Sequence, residues 1–204
     1  MIRSTVLDQQ SNLPLPQWEF VAMVAALISL NALAIDTMLP ALGIIAEHFS
    51  LQKDNDQQLV LFAYILGFGA PQLVFGPVSD RFGRKGLLRL CLLGYVLTGF
   101  ASMLAPTFIA LLALRFVQGV MASGIRVIAI SIVRDLMKGR NMARIMSLVM
   151  TVFMIVPIFA PAIGQWVMTL TSWYWTFGVL GLGGLLIWLW VEIRLPETLS
   201  EENR

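Results

Sequence analysis

The chain has 204 residues, of which 58% are hydrophobic and only 13% charged. Soluble domains are about a quarter charged, so this composition leaves too little polar surface to coat a water-soluble globule. It excludes a cytosolic enzyme, a disordered tail and a nucleic-acid-binding module; fourteen Lys and Arg against twelve Asp and Glu leave a net charge of only +2.

The first nineteen residues are polar, include Asp8 and Glu19, and lack a signal-peptide start, so residues 1–19 read as a short tail. Six apolar runs follow, each near the roughly 20 residues that a helix needs to cross a bilayer core. They are Phe20–Ala46, Gln57–Val78, Leu87–Ala105, Thr107–Ser131, Met142–Val167 and Trp173–Ile193. The expected architecture is all-α: six transmembrane helices over residues 20–193, with residues 194–204 beyond them. Pro40 predicts a kink or an early end in the first run, because proline removes a helical N–H and crowds the preceding turn. The single cysteine, Cys91, sits in an apolar run, which excludes a disulfide framework and a thiolate metal site. His48, the single histidine, reads as an ordinary loop residue.

Basic residues in short loops set orientation, since they stay on the cytoplasmic side. The second-to-third connection holds Arg81, Arg84, Lys85 and Arg89, and the fourth-to-fifth holds Arg134, Lys138, Arg140 and Arg144. The first-to-second connection sets Lys53 against Glu47, Asp54 and Asp56, and the remaining two turns carry no charge. Even-numbered spans therefore exit to the cytoplasm, and both termini are expected there. Trp18, Trp173, Trp175, Trp188 and Trp190 fall at span ends, as interfacial aromatics do, whereas Trp166 fits either an anchor or a cavity wall.

Ionisable groups inside lipid are costly and mark functional sites by default. Three qualify: Asp36 in the first span, and Arg115 and Arg126 in the fourth. At ~1.5 Å per residue, Asp36 and Arg115 both fall in the outer half of the membrane. They are thus expected to meet or to share a cavity, and an Asp36–Arg115 ion pair that merely fixes packing is the plainer alternative. Arg126 follows Arg115 by nearly three turns on the same face, closer to the cytoplasm. Asn31, Tyr64, Gln72 and Gln118 are candidate cavity lining, although interhelical hydrogen bonding explains each equally well.

The run Gly76-Pro77-Val78-Ser79-Asp80-Arg81-Phe82-Gly83-Arg84-Lys85 resembles the signature loop of the major facilitator superfamily. Gly83 allows a tight reversal there, Asp80 is placed to meet helix N-terminal N–H groups, and the basic residues hold the loop inside. Leu111-x-x-x-Arg115-x-x-Gln118-Gly119 resembles the second motif of that family, and Ala160-Pro161-Ala162-Ile163-Gly164 its antiporter motif, with Ala160 and Gln165 where the general form has glycine. The segment from Leu30 to Pro40, with Asp36, is similar to the first-span signature of drug:proton antiporters. Together with Ile132–Leu136 and Leu195–Leu199, the closest likeness is the Bcr/CflA group of multidrug efflux transporters.

The resemblance implies two inverted three-helix repeats forming the N-terminal half of a twelve-span carrier in a bacterial inner membrane, with residues 194–204 as the start of its cytoplasmic central linker. It implies proton-driven export of small amphipathic drugs, without ATP or any other cofactor. Asp36 and Arg115 would couple protons to substrate, and the segment from Gly76 through Asp80, Arg81, Gly83, Arg84 and Lys85 would govern switching. A C-terminal six-helix half or a second copy is the expected partner, besides drugs, protons and the bilayer. The rival readings are a transport-incompetent binding or assembly subunit and a carrier of another solute. An intramembrane serine protease is disfavoured, because no Gly-x-Ser-Gly occurs and His48 lies in a loop.

Overall fold

The computed structural model describes residues 15–53 and 55–196. Most of the tail assigned to residues 1–19, and the run from Glu197 onward, lie outside the described residues. Among those described there are helices and no strand: α1 (Gln17–Asp36), α2 (Leu42–His48), α3 (Leu59–Gly69), α4 (Gln72–Phe82), α5 (Arg84–Met103), α6 (Phe108–Leu136), α7 (Gly139–Leu170) and α8 (Trp175–Arg194). Five helical segments are long and apolar enough to cross a membrane, and α3 with α4, bent by 45°, makes a sixth. The six expected runs thus appear as six spans of a multi-pass membrane protein.

The departures from straight helices have local causes. In the first span α1 stops at Asp36, and a 3-10 turn over Leu39–Ala41 places Pro40 early in a new helical start before α2. The second span, expected to be continuous, breaks at Ala70–Pro71, because Pro71 has no N–H to continue the ladder of α3. By contrast, α7 runs unbroken for 32 residues through Pro157 and Pro161, which packing of neighbouring helices tolerates in membrane spans. At the start of α6, the Thr107 hydroxyl accepts a hydrogen bond from the Ala110 N–H at 3.2 Å, satisfying one orphan donor of the first turn.

Helix association in lipid relies on close approach at small residues. A Cβ on Gly119 would collide with the Tyr64 carbonyl, and one on Gly67 with the Phe116 carbonyl, so these glycines seat α3 against α6. The pattern of packing is exchange-symmetric. The first span (α1) packs on the fifth (α7) and sixth (α8), while the fourth (α6) packs on the second (α3 and α4) and third (α5). Each group of three spans thus lends its first helix to the other group. Because each group has an odd number of spans, the second is inverted relative to the first, matching the two expected inverted repeats.

One end of this bundle is a rim of ion pairs. Glu19 of α1 accepts from Arg194 at 2.7 Å and from the Trp190 indole at 3.3 Å. Glu192 of α8 accepts from Arg89 Nε at 2.9 Å, and its backbone carbonyl accepts from Lys85 Nζ at 3.2 Å. Trp190 is therefore tied into the rim, and Trp173 packs among His48, Phe49, Tyr174 and Phe177 at the opposite end, so neither is the free interfacial anchor expected. Trp18 is 73% exposed and suits that role.

Candidate functional site

The break in the first span organises the centre of the molecule. Arg115, on α6, is fully buried and reaches α1 just before the break, where its Nη2 donates to the Ala34 carbonyl at 2.7 Å. Its Nη1 donates to Gln118 Oε1 at 2.8 Å, one turn along α6. The guanidinium carbon lies 4.5 Å from the Tyr64 ring centroid and 5.7 Å from that of Phe177. Such stacking holds a desolvated cation by its charge and its flat face at once. Arg115 is thus neutralised by dipoles and π-faces rather than by a carboxylate.

Asp36 is the last residue of α1, two positions beyond the carbonyl that Arg115 grips. The ion pair with Arg115, the plainer alternative, does not form, and the carboxylate is half-buried without a hydrogen bond or salt bridge among the described residues. Arg115 does reach the last turn of the helix that ends at Asp36, but its bonds go to the Ala34 carbonyl and to Gln118 Oε1, and nothing in the sequence flags that carbonyl. Neither does Arg115 lie on an uncovered face: α1, α3 and α8 enclose it.

Tyr64 is fully buried, and its hydroxyl donates to Asn31 Oδ1 at 3.2 Å, joining α3 to the same stretch of α1. The Tyr95 hydroxyl adds a bond to the Leu30 carbonyl at 3.1 Å. Arg126 is half-buried with its guanidinium 5.8 Å from the Phe68 ring, and has no acidic partner among the described residues. Gln72 starts α4 just past the bend and makes no side-chain bond to the group around Arg115. Of the candidate lining, Asn31, Tyr64 and Gln118 converge on Arg115, while Arg126 and Gln72 stand apart.

The segment Ala160-Pro161-x-x-Gly164 meets this centre from α7. Ala160 and Gly164 are buried, and a Cβ on Gly164 would collide with the Thr37 carbonyl. The Thr37 hydroxyl in turn donates to the Leu33 carbonyl in the last turn of α1. This stretch therefore brings α7 onto the break beside Asp36, through a contact that only glycine permits.

The segment from Gly76 to Lys85 is not a loop. α4 continues to Phe82, a single Gly83 at φ 91° turns the chain, and α5 begins at Arg84. A positive φ of this kind favours glycine. Asp80 does not cap a helix as expected; it pairs with Arg84 at 2.5 Å. The buried Arg84 also bonds the Ser79 hydroxyl and, at 2.8 Å, Asp135 at the end of α6. Ser79 closes the group by donating to the Gly76 carbonyl at 2.8 Å. Arg81 lies exposed beside the Phe82 ring. Sequence reading gave no role to Ser79, Asp135, Glu19 or Glu192. For Asp135 and Glu192 the signal was an acid within a turn of a basic residue at a span end; Ser79 and Glu19 carried no such signal.

The chain matches the Major Facilitator Superfamily over residues 24–204. It is 36% identical over 184 residues to an uncharacterized MFS-type transporter, YdgK, of Bacillus subtilis, covering 89% of this chain and 46% of that one. It is 33% identical to a bicyclomycin resistance protein homolog of Haemophilus influenzae, covering 91% of this chain and 46% of the relative. Among solved structures, a bacterial homolog of the human lysosomal transporter Spinster in an inward-facing conformation superposes with a TM-score of 0.74 at 18% identity. That match covers 89% of this chain and 43% of the other. The chain spans about half the length of the curated relatives it matches. A six-span bundle with exchanged three-helix repeats, a buried arginine locking α6 to a broken first span, and matches of this extent have one explanation: the chain belongs to the major facilitator superfamily.

Proposed function

We propose that this chain is the N-terminal half of a proton-driven exporter of small amphipathic drugs in a bacterial inner membrane, with both termini cytoplasmic. The observation that carries the reading is the unpartnered, half-buried Asp36 at the break of the first span. A carboxylate held there, with Arg115 engaged elsewhere, is available to a proton or to a cationic drug, and exchange of one for the other couples their movements. The bicyclomycin-resistance name of a relative supports drugs as the substrate class. Arg115 acts as a positioning residue: it fixes α1 against α6 and so sets where Asp36 stands. Asp80, Arg84 and Asp135 form a contact at the basic end, far from Asp36, and bias the equilibrium between access states. The cavity is completed by a C-terminal six-helix half or by a second copy.

The test is Asp36→Asn in the assembled carrier, followed by efflux and by substrate-induced proton release. Proton-coupled efflux of cationic drugs is expected to vanish while membrane insertion is unchanged; intact coupling refutes the assignment. A second reading, a carrier for a solute with an anionic group, is favoured by one observation. Arg126 offers a half-buried guanidinium with no acid opposite it among the described residues. Loss of transport of an anionic solute in Arg126→Gln, with cationic drugs unaffected, would select it.

A further inference from the structure

A groove of about 840 Å³ runs along the outside of the bundle between α1, α7 and α8. Its walls are apolar side chains, among them Val21, Leu33, Leu148, Val152, Val156 and Ile187. At the end with the ion-pair rim it adjoins a smaller polar cleft of about 90 Å³, and the two share Gln17 and Arg144. Asn141 completes the polar side of that cleft. Neither the centre around Arg115 nor the rim uses this groove.

Charge separates the polar cleft from an ordinary helix boundary. Arg144 is exposed and pairs with no acid among the described residues. α7 contains no Asp or Glu, and Arg140 stands one turn before Arg144 on the same helix. Glu19, the acid of α1 at this end, is already held by Arg194 at 2.7 Å. The cleft therefore presents a guanidinium and two side-chain amides, all capable of donating, with no counter-charge among the described residues.

The dimensions select the kind of anion. From Arg144 to Val156 the groove follows twelve residues of α7, about 18 Å of helix. One leaflet of a hydrocarbon core of ~30 Å is ~15 Å deep. A free phosphate would fill the cleft and leave the groove uncovered, whereas a phospholipid fills both. Basic pockets between membrane helices are suited to anionic headgroups.

We propose that this groove is a binding site for an anionic phospholipid, with its phosphate on Arg144, Gln17 and Asn141 and one acyl chain lying between α1 and α7 against Ile187. The orientation given above puts it in the cytoplasmic leaflet; the site itself does not depend on that orientation or on any transport activity. A lipid so placed bridges α1 to α7, the two helices that meet at the break beside Asp36.

The test uses the purified chain, stripped of lipid in detergent, then given phosphatidylglycerol, phosphatidylcholine or inorganic phosphate. Native mass spectrometry and thermal unfolding read the result. One retained phosphatidylglycerol and a melting temperature raised by several degrees are expected, with phosphatidylcholine retained at least tenfold less. Arg144→Gln should abolish the preference for phosphatidylglycerol, and Val152→Trp, which plugs the groove without touching the cleft, should abolish retention. The second variant keeps the test decisive if Arg144→Gln fails to fold. Equal retention of both lipids in wild type and variants means general lipid contact and overturns the proposal. Stabilisation by inorganic phosphate without retained lipid means an ion site only, and also overturns it. Loss of the bound lipid on co-expression with a C-terminal half would show that protein covers the groove, with the same consequence.

Discussion

Arg115 carries a full positive charge inside an apolar bundle, and what stabilises it is a carbonyl, an amide and two aromatic faces. Hydrogen bonds to a charged group contribute about 1.5–3 kcal/mol, and a desolvated cation–π contact about 2 kcal/mol. Lysine retains the charge but has neither the fork that reaches Ala34 and Gln118 together nor a plane to stack on Tyr64. Arg115→Lys is therefore expected to cost on the order of 2–4 kcal/mol. In thermal unfolding of the purified chain in detergent, that amounts to a fall of roughly 5–15 °C. Asp36→Asn removes no partner and should leave the melting temperature nearly unchanged, so equal shifts for the two would contradict the positioning role of Arg115. At this scale the sequence was half legible. A rise per residue and a list of charges place Asp36 and Arg115 at one depth, but every residue has a carbonyl, so nothing in the chain marks Ala34 as the acceptor.

Helices meet here through glycine, and the cost of widening a contact can be assigned to particular positions. The crossing of α3 and α6 depends on Gly119, where an added Cβ collides with the Tyr64 carbonyl. Gly69, at the end of the same α3, has open space around its would-be Cβ. Gly119→Ala is expected to destabilise the chain by about 1–3 kcal/mol through overpacking, and Gly69→Ala to be neutral or slightly stabilising. Matched melting curves check both, and a neutral Gly119→Ala would mean that the crossing adjusts freely. The same crossing holds Tyr64 beneath Arg115, so the site depends on it. At the corner of α4 and α5, Arg84 joins Asp80 to Asp135 of α6. In the assembled carrier, Asp80→Asn should depress transport while drug affinity changes little, because the contact lies at the far end from Asp36. A large loss of affinity with normal switching would contradict that role. Hydropathy located all six spans. It missed the 45° bend at Pro71, because Ala70, Pro71 and Gln72 lie within one apolar run and a sliding average does not register a missing N–H.

For the whole molecule, the exchange of α1 and α6 between the two three-span groups builds a bundle closed on most sides but not along α7. Met154, Ile158 and Trp166 are each about 70% exposed. Exposed apolar residues alone would suit lipid, whereas polar groups on an open face call for a partner. Asp36, next to the Thr37 that Gly164 of α7 meets, is only half-buried, and a charge open to hydrocarbon is costly. If the paired basic loops orient the chain as proposed, every copy faces the same way, and a partner copy is expected to lie parallel. The family fold supplies the need for one, since alternating access moves one bundle against another around a shared site. The chain alone is thus expected to confer no drug efflux and to be poorly stable in detergent, with a melting transition well below that of the paired carrier. Co-expression with a matching C-terminal half should restore both properties, read as growth in the presence of drug and as the melting temperature of the co-purified pair. Cysteines at Ile158 and at facing positions of that half should then cross-link in membranes. Robust proton-coupled drug transport by the purified chain, shown to be monomeric in liposomes, would defeat this reading. Such transport would require Asp36 to exchange its ligand across a membrane with only one wall of the cavity present.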